Sequence, residues 1–250
     1  LASFQTCPRR WLAEILGEGN SVKTKAAETG TAVHLIIEEF LRGKFELYSQ
    51  EYFNKQLWLE GLGVSAKERI ALTSYLEYIK NKNDTIINIE HEFTLNFYEY
   101  GVKYGPPVRG HIDLTTQQHD NSLLIIDHKT NRTYQNAYWW QTQLQPLFYS
   151  AYVQFLWPDV DIYYEIGYVN LGEHVKWKVD NDCLQYATEI YKGIWDEIKV
   201  YKRTGEWPER LNNYCNNCPV RDKCSTLQHA HSDFIKSFDK LNESVMWYVM

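Results

Sequence analysis

The rhythm of apolar and polar positions changes twice along the chain, dividing it into a helical front, a strand-rich middle and a helical back. Pro8 suits the first position of a helix, with Thr6 or Cys7 as its cap, and Trp11, Leu12, Ile15 and Leu16 carry that helix to Gly17. A second helix is expected after Thr29-Gly30. Val33, Ile36, Ile37, Phe40 and Leu41 fall on one face at helical spacing, and Gly43 ends it. Residues 49–62 and 65–82 read as two more amphipathic helices, with Trp58, Leu59, Leu62, Ile70, Leu72, Tyr75, Leu76 and Ile79 as the residues to bury.

The texture then becomes β-branched and alternating. Residues 85–95 read as a strand, Gly105-Pro106-Pro107 makes a break, and residues 108–115 read as the next strand. Asn121 turns the chain into the apolar run 122–127, fit for a buried strand. Residues 137–156 read as one long helix with Pro146 as a candidate kink. A hairpin over 161–170 and 175–179 follows, then a helix over 183–203 with Leu184, Ala187, Ile190, Ile194 and Ile198 recurring, and a polar helical tail from residue 228. This order predicts an α/β fold, a central mixed sheet flanked by helices, with one domain over 1–226 and the tail over 227–250.

Composition adds bounds. With 44% apolar residues and abundant aromatics, the chain can bury a full core and is not disordered. No run of about 18 apolar residues is present to span a bilayer as a helix. The net charge of −6 is the opposite of what a sequence-independent duplex binder carries. Acidic groups that hold divalent cations would contribute to that charge, and Arg9-Arg10, Lys23, Lys25 and Arg132 remain as local basic spots for phosphates. The first residues lack the layout of a secretory leader. Five cysteines are an odd number without the spacing of a secreted scaffold, so a reducing, intracellular compartment is expected, with Cys183 an ordinary buried thiol.

The candidate chemistry lies in the strands. Asp113 sits within Gly110-His111-Ile112-Asp113, Asp127 ends the next strand, and Lys129 follows two residues later, on the same side of an extended chain. If the two strands form a hairpin, Asp113 and Asp127 meet, and two carboxylates so placed repel unless a divalent cation lies between them. Mg²⁺ or Mn²⁺ would suit, with the His128 main-chain carbonyl as a further oxygen. Lys129 would then orient or deprotonate the attacking water and stabilise charge on a phosphate. Acid-x-Lys at the end of a strand is also a common surface ion pair; the order and company of these groups favour chemistry. His34 and Glu38 stand four apart on one helix, so both project from one side, and Glu38 is a candidate to assist a second cation. Glu92 reads as a strand residue making a structural hydrogen bond.

Cys7 near the start and Cys215-x2-Cys218-x5-Cys224 near the end supply four thiolates, enough for zinc or for a 4Fe–4S cluster, and spacing alone does not separate these. Tying residue 7 to residue 215 would close a loop whose chain-entropy value is roughly 5 kcal/mol. The expected role is a staple, not electron transfer.

In this order the motifs resemble those of RecB-like nucleases of the PD-(D/E)XK superfamily. The matching segments are Gly30-Thr-Ala-Val-His34, Gly110-His-Ile-Asp113, Ile126-Asp127-His-Lys129 and Gln145-x3-Tyr149. The outlying cysteines are similar to those of the iron–sulfur subgroup, which includes the AddB nuclease domain and CRISPR-adaptation nucleases. The resemblance implies a restriction-endonuclease-like core whose terminal segments are joined by a 4Fe–4S cluster on Cys7, Cys215, Cys218 and Cys224. It implies that His34, Asp113, Asp127 and the His128 carbonyl hold Mg²⁺ or Mn²⁺, that Lys129 is catalytic with Asp113 and Asp127, and that Gln145 and Tyr149 contact DNA. The implied activity is an exonuclease on single-stranded or frayed ends, serving DNA repair or recombination, with a helicase or a recombination or integration protein as partner. The alternative is a catalytically silent nuclease-like module that binds DNA ends or docks a partner. Asp127 stands where many relatives have Glu, and Gln141 and Gln143 compete with Gln145 for the glutamine role.

Overall fold

The computed structural model describes residues 2–18, 24–103, 105–212 and 214–229. In chain order the elements are α1 (Ala2–Thr6), α2 (Pro8–Leu16), α3 (Lys25–Leu41), α4 (Gln50–Gly61), α5 (Ala66–Lys82), β1 (Thr85–Leu95), β2 (Val108–Gln117), β3 (Leu123–Lys129), α6 (Ala137–Gln141), α7 (Leu144–Leu156), β4 (Ile162–Tyr168), β5 (Glu173–Lys178), α8 (Cys183–Thr204) and α9 (Ser225–His229). The chain divides into two compact units, Thr24–Lys192 and Leu1–Lys23 with Gly193–Met250. No helix among the described residues is long and apolar enough to cross a membrane.

The unit Thr24–Lys192 is a five-stranded mixed sheet in the order β1-β2-β3-β4-β5. Every neighbouring pair is antiparallel except β3 with β4, which is parallel. A parallel pair needs a crossover, and α6 with α7 supply it. Leu114, Leu124 and Ile126 pack into one core with Val33, Ile36 and Ile37 of α3, Leu59 of α4, and Leu72, Leu76 and Ile79 of α5. Residues alternate between faces of a strand, so Ile125, Asp127 and Lys129 point the other way, toward α7. Helix starts are fixed by side chains. Ser49 accepts from Tyr52 N, and Ser65 forms a reciprocal capping box with Glu68.

The structure corrects four expectations. Helix α3 begins at Lys25, capped by Thr24, which accepts from Ala27 N at 3.2 Å. Gly30 therefore lies inside the helix, where a Cβ would stand 3.3 Å from Thr130 Oγ1, so its smallness admits the residue that follows Lys129. The expected single helix over 137–156 is two, with Gln143 at the N-terminal cap position of α7, where its side chain makes no capping bond. Pro146 falls in the first turn of α7, where a missing N–H costs nothing and causes no kink. Trp58 and Ile70 are 41% and 67% exposed, because Leu59 and Leu72 take the core-facing positions beside them. Cys7 stands at the cap of α2, yet its side chain makes no capping bond. Of the expected tail, residues 230–250 lie outside the described residues.

In the second unit, the terminal segments meet directly. Arg9 N donates to Pro208 O at 3.1 Å, and Arg210 Nη1 donates to Gln5 O at 2.9 Å. The Trp11 ring stacks on Trp207 at 5.8 Å and meets Phe4 edge-on at 5.4 Å.

A Cβ on Gly167 of β4 would overlap the buried Tyr75 phenol. Gly167→Ala is expected to cost about 1–3 kcal/mol in urea denaturation. Gly193→Ala, where a Cβ meets nothing within 4 Å, is the neutral or stabilising control.

Candidate active site

Pairing between β2 and β3 runs from Gln117↔Leu123 to Leu114↔Ile126 and stops. Beyond that point the strands fork, with Asp113 on one arm and Asp127 on the other. The His128 N–H donates to Asp113 Oδ2 at 2.7 Å, so a side chain takes the place of a ladder bond. A fork admits groups from both faces of the sheet. From α3, His34 Nδ1 reaches to 3.8 Å from Asp113 Oδ1 and 3.9 Å from Glu90 Oε1. From α7, Gln145 donates to Asp127 Oδ1 at 3.2 Å and accepts from Lys129 Nζ at 2.8 Å. The Lys129 ammonium lies 2.7 Å from Asp127 Oδ2, and Gln145 Nε2 also donates to the Tyr149 hydroxyl at 3.0 Å.

Every interior residue expected at the site except Glu38 is thus at the fork or one contact from it. Glu38 instead pairs with Arg42 at 2.9 Å. The carboxylate that joins His34 and Asp113 is Glu90, and these three each bring a ligand atom to within 4.8 Å of the others. Glu90 falls between Ile89↔Leu114 and His91↔Ile112, which sets it across from Asp113. Its φ of +51° is left-handed, a conformation worth about 1–3 kcal/mol of strain in a residue with a side chain. His111 Nδ1 lies 2.9 Å from its other oxygen. Alternation along β1 admits Glu90 or Glu92 as the inward acid; counting the hairpin register outward from Asp113 selects Glu90.

The His128 ring faces the opposite layer, with Nδ1 2.8 Å from the Tyr75 hydroxyl. Burial holds its pKa well below the usual imidazole value, so the ring is neutral. Burial, with Asp127 close by, pushes the Asp113 carboxyl up to about 7, and burial also raises Asp127 although Lys129 opposes the shift. Burial disfavours the charged form of His34, but the hydrogen bond to Glu90 and the charge of Asp113 outweigh it and raise its pKa. Two carboxylates and an imidazole, Asp113, Glu90 and His34, around one small volume, with Asp127 on the other arm of the fork, form a donor set that fits a divalent cation.

The second unit gathers the other predicted ligands. Cys7, Cys215, Cys218 and Cys224 line one cavity, with Arg9 and Arg10 beside them. Arg210 N donates to Cys7 Sγ at 3.5 Å and Asn212 N to Cys215 Sγ at 3.2 Å. Burial favours protonated Glu209, but its bonds to Ser225 and Thr226, just past Cys224, hold it down to about 2. Among the described residues no three cysteine sulfurs lie within 4.8 Å of one another, so no single-ion thiolate site is preformed. Cys183 is buried, its thiol pushed up to about 12 by that burial.

An acid whose folded pKa is raised binds its proton more tightly folded than unfolded. Stability is then lost as pH rises from about 4, the unfolded value, through 7. In chelator, the unfolding free energy is expected to fall across that window by on the order of 4 kcal/mol at most, and the melting temperature with it. Mg²⁺ or Mn²⁺ should flatten the slope and release about half a proton per ion from Asp113 at pH 7, nearer one at pH 6, and Asp113→Asn should remove that share of both effects. Melting curves and calorimetry in buffers of different ionisation enthalpy read the two quantities.

No curated protein matches this chain. Among solved structures it is similar to a candidate exonuclease from Eubacterium rectale, at 11% identity and a TM-score of 0.46, covering 98% of this chain and 84% of that one. The family model described as the PD-(D/E)XK nuclease superfamily matches residues 1–225, nearly the whole chain and both arms of the fork. The chain belongs to the PD-(D/E)XK nuclease superfamily.

Proposed function

We propose that the chain is a divalent-cation-dependent deoxyribonuclease that hydrolyses phosphodiester bonds as an exonuclease, on single-stranded or frayed DNA ends. The observation that carries this reading is the meeting of His34, Glu90, Asp113, Asp127 and Lys129 at one fork in a chain of this superfamily. His34, Glu90, Asp113, Asp127 and the His128 carbonyl would hold Mg²⁺ or Mn²⁺. A cation bound there supplies Lewis-acid neutralisation of the phosphate and a more acidic water. The chain's own residues do the rest. Lys129 offers a positive charge where the phosphate becomes more negative, and Asp127 and Gln145 fix the direction of that ammonium. Gln145 and Tyr149, one helical turn apart, form the rim that meets the DNA backbone.

Asp127→Ala and Lys129→Ala are each expected to lower Mn²⁺-dependent cleavage of end-labelled DNA by about a hundredfold or more, with an unchanged circular dichroism spectrum. Cleavage that survives in Asp127→Ala would overturn the reading. Wild-type protein that binds DNA ends and cuts with neither ion would instead be the silent end-binding module.

The four outlying cysteines are assigned in the same reading to a structural 4Fe–4S cluster. Support comes from their common cavity and from two backbone amides aimed at sulfur. Anaerobically purified protein should absorb broadly near 400 nm and contain about four irons per chain; one zinc per chain and no colour would refute the assignment. Cys7→Ala should bleach the protein and lower its melting temperature.

A further inference from the structure

The segment that leaves the site directly after Lys129, the connection from β3 and the first residues of α6, carries three large aromatic side chains into solvent within six residues. Tyr134, Tyr138 and Trp139 are 47%, 76% and 39% exposed. Isolated exposed aromatics are ordinary, whereas a set grouped beside a reactive centre marks a surface that meets something. The backbone beneath them is pinned. The buried Tyr168 hydroxyl accepts from Gln135 N at 2.7 Å and from Trp140 Nε1 at 2.6 Å, and donates to Gln135 O at 2.8 Å. Asn136 caps α6 by accepting from Trp139 N at 2.9 Å, and Asn170 Nδ2 donates to Thr130 O at 2.7 Å.

Two of the three rings are tied to residues at the chemistry, and Tyr138 stands beside Trp139 in sequence on α6. Lys129 Nζ stands 5.5 Å from the centre of the Trp140 ring, and Trp140 meets Trp139 at 4.8 Å. The Trp139 ring centre is therefore within about 10 Å of the ammonium, a reach of one or two nucleotides along an extended strand. Tyr134 joins the same group through Tyr168, at 5.1 Å.

From these observations, and resting on the nuclease reading above, we infer that Tyr134, Tyr138 and Trp139 form a stacking platform for the unpaired bases next to the scissile phosphate, and so select single-stranded ends. Aromatic faces stack on any base, which gives affinity without sequence preference. In a duplex those base faces are already occupied by neighbouring pairs, so a blunt end gains little from the platform. Charge agrees with this division. The connection has a single cation, Arg132, and it is paired with Glu68 at 2.9 Å on a chain of net charge −6. Stacking rather than counterion release must supply the grip, and the salt dependence of binding should be shallow.

The test uses the full chain, with anisotropy of labelled oligothymidylate in Ca²⁺ for binding, and hydrolysis of bis(p-nitrophenyl) phosphate in Mn²⁺ for chemistry. Tyr138→Ala with Trp139→Leu should weaken oligothymidylate binding about 10- to 100-fold. Turnover of the small diester, and the already weak binding of blunt duplex, should not change. Tyr138→Phe with Trp139→Phe should restore the single-strand affinity. Unaltered oligothymidylate binding in the alanine–leucine variant, or equal loss on blunt duplex, would overturn the platform. Wild-type protein that binds oligothymidylate through these rings yet hydrolyses neither DNA nor the small diester would instead overturn the nuclease reading and leave the platform standing.

Discussion

Two carboxylates held in a fork that water barely reaches are the constraint around which this molecule is arranged. Asp113 and Asp127 are 7% and 2% exposed, and neither has a full set of neutral donors to lean on. One accepts a single backbone N–H, and the other shares a lysine and a glutamine. Close, buried and alike in sign, they are comfortable only when one of them is protonated or when a cation lies between them. The strand divergence that creates the fork is thus also what keeps it expensive to fill with charge. His34 and Lys129 offset part of that cost from opposite layers of the sheet.

The sheet sets which layer contributes what. Leu124 and Ile126 turn into the core shared by α3, α4 and α5, while the residues between them turn to α7. Tight packing on the α7 side extends from the site into its support. A Cβ on Gly110 would overlap the Phe93 ring and crowd Tyr149, and Phe93 in turn stacks on Tyr152 at 4.5 Å. Tyr149 therefore stands on aromatic rock, and through Gln145 so does Lys129.

Much of this was legible in the sequence wherever a local rule decides the outcome. Apolar spacing announces α4 and α5, and the apolar run ending at Asp127 reads as a buried strand. The spacing of Asp113 and Asp127 about a turn at Asn121 brings them together through hairpin geometry alone. What was hidden depends on neighbours distant in sequence. Gly30 looks like a helix boundary, but it is a gap left for Thr130, which arrives a hundred residues later. Pro146 looks like a kink, yet it belongs to a first turn because the chain breaks at Thr142 and Gln143. Glu90 was hidden for a different reason. Its inward orientation needs a left-handed backbone that no propensity favours, and only the β1·β2 register requires it.

One residue joins the two sides of the sheet. His128 is the middle letter between an acid and a lysine, read in the sequence for its carbonyl alone, and alternation obliges its ring to face away from them. That ring bonds Tyr75 in the helical layer, while the N–H of the same residue bonds Asp113 in the fork. A single residue thereby spans the sheet, with its ring in the core and its N–H on a reactive carboxylate. Loosening of α5 would reach the chemistry without any change to a residue that touches substrate, so in this fold the integrity of the core and the alignment of the site are one mechanical property.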